Sequence, residues 1–269
     1  MPRPNPVQRC RAIGTSRGVS MSAISWSPES DPNVLSYWDW TSNLFGEVGR
    51  TTTPVNDGDR VFWWDDKSST RNLRSADNVA RTYLRPTGGP STGKRSLEWD
   101  GTNASAMYYA TGSELLSASS FTIGCVFNVS AAGALNALIG RGGYNGNGTY
   151  LRIDAANKLV GTVTTAAATS LTVGTAVTTT WAVGAMTYDG SNMHVGIRGQ
   201  AIQSSAKTGA LSFHASDTAF WMGAVTGNGS AWAQNLQKYL ALGIVKSDSY
   251  SAATLPVFLD QLASYAGIS

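Results

Sequence analysis

The feature that most constrains this chain is a succession of short strand-like runs, each stopped by turn residues before it reaches helical length. The segment TWAVGAMTYDGSNMHVGIRGQ (residues 180–200) is the clearest case. Met193, Val195 and Ile197 alternate there with His194, Gly196 and Arg198, and Asp189-Gly190 supplies the turn that a tight hairpin demands. A period of two places Trp181, Val183, Met193, Val195 and Ile197 between two sheets and turns His194 and Arg198 outward. Similar runs are NVLSYWDW (33–40), RVFWWDD (60–66), RSLEWDG (95–101), SAMYYAT (105–111), FTIGCVFNV (121–129) and NALIGRG (136–142). TYLRIDA (149–155), KLVGTVTT (158–165), LTVGT (171–175), AFWMGAV (219–225) and LQKYLALGIVK (236–246) complete them, and Asp100-Gly101 is expected to close a second ribbon.

Composition agrees. Only 14% of the 269 residues are charged and 29 are Gly, which suits strands and turns rather than long helices. With 42% hydrophobic residues the chain can bury a sizeable core unaided, and the two cysteines, Cys10 and Cys125, give neither a disulfide framework nor a cysteine zinc site. One helix is predicted at the end, where Leu255, Phe258, Leu259, Leu262 and Tyr265 share a face; Thr254 is placed to cap it, Pro256 is tolerated in its first turn and Gly267 suits its exit. The prediction is an all-β sandwich or jelly roll of two antiparallel sheets over residues 25–269.

Residues 1–24 differ. They hold Arg3, Arg9, Arg11 and Arg17 and no acid, leaving the other 16 Lys and Arg against 17 Asp and Glu in residues 25–269. Three early prolines and scattered arginines cannot build a core, so this arm is expected to be extended and to order on a partner, with Val7 and Ile13 buried there. Met21 offers an alternative start to Met1. No run resembles the apolar core of a signal peptide or the roughly 18 apolar residues of a membrane span.

The order of VLSYWDWTS (34–42), DRVFWWDDKSSTRN (59–72), GKRSLEWDGTNASAMYY (93–109), FTIGCVFN (121–128), ALIGRGG (137–143), WAVGAMTYDG (181–190) and the ending YLALGIVKSDSYSAATLPVFLDQLASYAGI (239–268) resembles the concanavalin A-like, laminin-G-like jelly-roll domains of the lectin/glucanase superfamily. The resemblance covers about residues 33–268 and departs at TLPVFLDQLASYAGI, which lacks the family's acidic helix start. It implies a fold that serves lectins, hydrolases and structural modules alike.

Hydrolases of this superfamily carry an E-x-D-x-x-E strand with paired carboxylates. Here Glu98 and Asp100 match, but Asn103 stands at the third place and Asp100-Gly101 reads as a turn, so no catalytic residue is assigned. His194 and His214 have no sequence link to a Ser and an Asp, and are read as structural rather than zinc-binding or catalytic. Laminin-G-like domains often hold calcium; Asp65, Asp66 and Asp100 are the candidates, without a calcium-loop motif, and no metal site is assigned. The loop GRGGYNGNGTY (140–150) offers Arg141, Tyr144, Asn145 and Asn147 as a rim that could hold a sugar. Residues 67–95 place Lys67, Arg71, Arg74, Arg81, Arg85, Lys94 and Arg95 against Asp77 alone, a basic stretch able to meet an acidic glycan or protein; nucleic acid is disfavoured because no RRM, OB or zinc-finger pattern surrounds it.

A lectin-like sandwich with a basic arm and no export signal fits a phage virion protein, assembled in the host cytoplasm and released by lysis. The expectation is a non-enzymatic capsid decoration, head-fibre or tail component. It would be held by residues 1–24 to other virion proteins, oligomeric in a symmetric assembly, with a weak face for host-surface glycan. The alternatives are a cellular carbohydrate-binding domain and a degenerate glycoside hydrolase.

Overall fold

The computed structural model describes residues 26–76, 82–101, 106–111, 114–116, 119–129, 135–142, 148–165, 168–175, 180–213, 218–227, 231–233 and 236–269. Arg3, Val7, Arg9, Arg11, Ile13 and Arg17 of the arm, with Cys10 and Met21, lie outside the described residues. The strands are β1 (Val34–Trp38), β2 (Leu44–Phe45), β3 (Arg60–Val61), β4 (Trp63–Trp64), β5 (Leu73–Ser75), β6 (Thr82–Arg85) and β7 (Ser96–Asp100). There follow β8 (Met107–Tyr109), β9 (Phe121–Val129), β10 (Asn136–Gly142), β11 (Gly148–Ile153), β12 (Lys158–Thr164), β13 (Ala168–Thr175) and β14 (Ala182–Tyr188). The last are β15 (Asn192–Ile197), β16 (Gln203–Ala206), β17 (Phe220–Met222), β18 (Val225–Gly227), β19 (Ala231–Ala233) and β20 (Gln237–Lys246), before helix α1 (Leu255–Ala266).

Among the described residues these form two nine-stranded antiparallel sheets, and β18 pairs with β19 as a separate ribbon. One sheet runs β16-β15-β14-β9-β20-β7-β6-β3, with β1 also on β20; the other runs β13-β12-β11-β10-β17-β8-β5-β4-β2. This is the sandwich that the strand pattern predicts. The main core lies between the sheets and includes Trp38, Trp64, Trp99, Phe127, Ile139, Leu151, Met186, Met193 and Val195. A second core of Val126, Val183, Ala185, Ile244, Phe258, Leu259 and Leu262 seals α1 onto the first sheet.

That second core corrects the register expected for residues 181–188. Ala182, Met186 and Tyr188 point between the sheets, whereas Val183 and Ala185 point at the helix, and Trp181 is only half-buried beside Tyr239. A strand buried on both faces has no polar side to reveal which face is which. The Asp189-Gly190 turn does close the β14–β15 hairpin: Gly190 takes φ 88°, and Asp189 accepts the Ser191 and Asn192 N–H groups at 2.7 and 2.5 Å. Asp100-Gly101 closes no ribbon, because β7 belongs to the helix-side sheet and the next strand, β8, to the opposite one. RVFWWDD likewise divides at Phe62, with β3 in one sheet and β4 in the other.

The helix ends as its sequence predicts. Gly267 is left-handed at φ 68°, its N–H meets Ser264 O and the Ile268 N–H reaches Ala263 O at 2.9 Å. Its start differs: Thr254 makes no side-chain cap, because its hydroxyl accepts the Ser251 N–H at 2.9 Å while Leu255 N–H donates to Ser251 O. Gly124 and Gly196 let α1 approach the sheet; a Cβ on Gly124 would lie 3.0 Å from Leu262, and one on Gly196 3.1 Å from Leu259. No helix among the described residues is long and apolar enough to cross a membrane.

One buried cation ties the lead-in segment to this layer. Lys246 Nζ, 1% exposed, meets Asp31 at 2.7 Å and Asp248 at 3.3 Å, and also the Tyr250 hydroxyl. Burial pushes its pKa down, but these partners more than restore it, so it stands above the ordinary 10.5. Burial raises Asp31, yet hydrogen bonds from Lys246, Asn33 N–H and Trp26 Nε1–H outweigh it and hold it below 3.8.

Leu262→Ala should cost about 2–5 kcal/mol of unfolding free energy. Val257→Ala, on the same helix but 56% exposed, should stay within about 0.5 kcal/mol. Denaturant titration separates them, and equal losses would contradict the helix-sealed core. Lys246→Met strands two carboxylates and should cost about 3–5 kcal/mol. A depressed carboxylate contributes stability that is complete above its unfolded pKa and lost as pH falls through its folded one. Asp31→Asn should therefore melt below wild type at neutral pH, with the gap closing below pH 3.8; a gap that persists in acid would show that the charge on Asp31 is not what matters.

Candidate functional site

Helix α1 covers β9, β14 and β15 of the first sheet, and an open stretch of outer face lies at the β4, β5 and β8 end of the other sheet. Its register sets four side chains in a row: Trp63 pairs with Arg74, Arg74 with Tyr108 and Tyr108 with Trp221. Their strand neighbours Trp64, Leu73, Met107, Phe220 and Met222 fill the main core, so period-two alternation stands these four on the outer face. Tyr108 stacks on Trp221 with centroids 4.8 Å apart, and the Arg74 guanidinium lies 4.8 Å from the Tyr108 centroid and donates to its hydroxyl. Trp221 is buried with Ala106 and Ala224, while Trp63 and Tyr108 remain half-exposed and Arg74 exposed.

The uncovered end of the row is a groove of about 330 Å³, lined by Arg50, Trp63, Thr70, Asn72, Arg74, Tyr108, Tyr109 and Ala110. One wall is pinned firmly. Arg50 has a left-handed backbone, φ 58°, while its guanidinium sits over Phe45 at 4.6 Å and Trp63 at 5.1 Å and pairs with Asp65. Trp63 Nε1–H donates to Val48 O at 3.2 Å. Asn72 Oδ1 accepts the Asp66 N–H at 2.9 Å, leaving its NH₂ group as the donor available to the groove. The lining contains aromatic rings, planar donors and hydroxyls, and no carboxylate. Such a surface can cover the apolar face of a sugar ring while bonding its oxygens.

The residues singled out from sequence are dispersed. Arg141 lies on β10 with its guanidinium 3.8 Å over Phe213, away from the groove, and Tyr144, Asn145 and Asn147 lie outside the described residues. Glu98 is on the other sheet, where Arg85 holds it at 2.5 Å; Asp100 is exposed at the strand end, and Asn103 is outside the described residues. Of the calcium candidates, Asp65 pairs with Arg50, and Asp66 accepts Tyr37 N–H at 3.1 Å and Ser68 N–H at 2.9 Å. Among the described residues no three His, Cys, Asp or Glu gather at metal distance.

His194 is not solvent-facing as expected. It points away from the core, but β16 covers it to 9% exposure and its Nδ1 meets Ser204 Oγ at 2.7 Å. Burial depresses its pKa and Asp189 opposes this weakly, with the Asp189 carboxylate already holding the turn. Arg198 does face outward, donating to Asp260 at 2.9 Å and to Ile268 O at the end of α1. His214 lies outside the described residues.

The basic stretch also comes apart. Arg71 pairs with Glu114, Arg85 with Glu98 and Asp57, Lys67 approaches Glu29, Lys94 sits 4.0 Å over Trp40, and Arg95 donates to Ser42 O. Only Arg74 reaches the groove from this stretch, and Arg81 and Asp77 are outside the described residues. The groove's rings were missed in the sequence, although the doublets Trp63-Trp64 and Tyr108-Tyr109 carried a signal: in a strand, adjacent rings must face opposite ways.

The model of the concanavalin A-like lectin/glucanases superfamily, laminin-G type, matches residues 100–239. Among solved structures, Trypanosoma rangeli sialidase bound to 2,3-difluorosialic acid is similar with a TM-score of 0.56 and 12% identity, over 87% of this chain and 33% of the sialidase. The botulinum neurotoxin serotype G binding domain is similar with a TM-score of 0.56 and 11% identity, over 86% of this chain and 52% of that one. This chain thus spans about a third of the sialidase and half of the neurotoxin domain, and the likeness is one of fold. No curated protein matches the sequence. From the two-sheet sandwich and the match over residues 100–239, it follows that this chain belongs to the concanavalin A-like lectin/glucanase superfamily.

Proposed function

We propose that this chain is a non-enzymatic saccharide-binding sandwich and that it serves as an exterior component of a phage particle, a capsid decoration, head fibre or tail part. The groove carries the binding reading: Trp63, Tyr108, Tyr109, Asn72 and Arg74 line one open site on the second sheet. The absence of any carboxylate from that lining favours binding over glycoside hydrolysis, which needs a facing pair. Glu98, the strongest catalytic candidate by motif, is committed to Arg85 on the opposite sheet.

The particle reading rests on the arm. Residues 1–24 hold four arginines and no acid, with three prolines and too few apolar residues for a core of their own. A basic, proline-containing arm of this kind suits attachment to neighbouring virion subunits in a symmetric assembly. A cellular carbohydrate-binding domain would use the same groove, so attachment is what separates the two.

Trp63→Ala and Tyr108→Ala should each weaken saccharide binding about tenfold or more, as aromatic anchors do, with melting temperatures showing that the sandwich is intact. Unchanged titrations in both variants would move the site elsewhere. Deleting residues 1–24 should leave the melting temperature nearly unchanged and abolish incorporation into particles. Incorporation at wild-type occupancy would refute attachment through the arm. Glu98→Gln should leave any polysaccharide-degradation assay at the wild-type background; specific hydrolysis lost in that variant would revive the hydrolase reading.

A further inference from the structure

Resting on the saccharide reading above, the geometry points to an anionic saccharide as the ligand of this groove, its acidic group held by Arg74. The nitrogen groups lining the groove are donors, beside the hydroxyls of Thr70, Tyr108 and Tyr109, which donate or accept. Arg50 and Arg74 offer only N–H groups, and Asn72 has already given its carbonyl oxygen to the Asp66 N–H. Tyr108 accepts from Arg74. The hydroxyls of a neutral sugar can pair with those of the groove, but they bring no charge to the Arg74 guanidinium. A carboxylate or sulfate only accepts, and it meets the Arg74 and Asn72 donors with a charge-assisted bond.

Charge leads to the same ligand. Arg50 is neutralised by Asp65 behind the wall. Among the described residues no carboxylate lies within ion-pair distance of Arg74, and every other described basic residue of the 67–95 stretch is engaged away from the groove. The groove therefore carries one uncompensated positive charge. Its position is fixed in advance: the guanidinium rests against the Tyr108 ring at 4.8 Å, and that ring is stacked on the buried Trp221. A planar guanidinium held in place loses little freedom when it binds a planar or tetrahedral anion. Trp63 remains as a wall for the rest of the sugar.

The test titrates the full chain by calorimetry with sialyllactose, lactose 3′-sulfate and their neutral parent lactose. One or both acidic ligands should bind roughly ten- to a hundredfold more tightly than lactose, the range of hydrogen bonds to a charged group. That preference should shrink as salt is raised. The sulfated and carboxylated arms identify which anion the groove prefers. Arg74→Gln should remove most of the preference by weakening the acidic ligands about tenfold or more beyond any loss for lactose, with the melting temperature showing an intact sandwich, and Arg74→Lys should restore part of it; Trp63→Ala should weaken acidic and neutral ligands together. Lactose binding as tightly as both acidic ligands, or an acid preference that survives Arg74→Gln, would overturn the inference and leave a saccharide groove standing. Binding of none of the three by the wild-type chain would overturn the saccharide reading beneath it.

Discussion

The constraint on which the rest depends is the burial of the middle of one sheet on both of its faces. Strands β9 and β14 are apolar or small along almost their whole length because they carry the inter-sheet core on one side and α1 on the other. Gly124 and Gly196 set the closeness of that contact, and Phe258, Leu259 and Leu262 fill it. On the opposite sheet β10, β11 and β12 are buried along both faces as well. The β18–β19 ribbon sits next to β10, and Trp221 is buried among small neighbours, so the open part of that sheet's outer face is confined to the β4, β5 and β8 end.

How much of this was legible in the sequence depends on whether a signal was local. The hairpin turn at Asp189-Gly190, the apolar stripe of α1 and the Gly267 exit are decided within a few residues, and each took the predicted form. Which sheet a strand joins is not local. RVFWWDD reads as one strand, yet it bends at Phe62 and serves both sheets; Asp100-Gly101 has the residues of a hairpin, yet the chain crosses the sandwich there. Val183 was assigned to the wrong core for a related reason, since alternation tells two faces apart only when one of them is polar.

The candidate site was harder still, because it is assembled from register. Trp63, Arg74, Tyr108 and Trp221 are separated by 158 residues of chain from first to last, yet adjoin across four paired strands. Sequence reading singles out contiguous features, the glycine-rich loop at 140–150 and the basic run at 67–95. Of the loop's four candidates, Arg141 is turned onto Phe213. Of the basic run, most charges are drawn off singly to carboxylates, carbonyls or rings, which is the usual fate of a charge-rich segment folded over a sandwich. A run of like charge in sequence is thus a poor guide to a patch in space; what survives here is one arginine, placed by the strand that carries it.

That arginine gains its meaning from the wall beside it. Arg50 adopts a backbone conformation that costs a non-glycine residue of order 1 kcal/mol or more. The compensation is visible: its guanidinium covers Phe45 and Trp63 and meets Asp65, and the Trp63 indole in turn holds the Val48 carbonyl. These contacts fix the loop against β4 before any ligand arrives, and the Arg74–Tyr108–Trp221 stack fixes the other side of the groove in the same way. Ordering a loop and a long side chain at the moment of binding would be subtracted from the affinity of a small ligand. Here both walls are ordered by packing within the sandwich, so the strain at Arg50 and the stacking of Arg74 are two parts of one arrangement, in which folding does the ordering in advance.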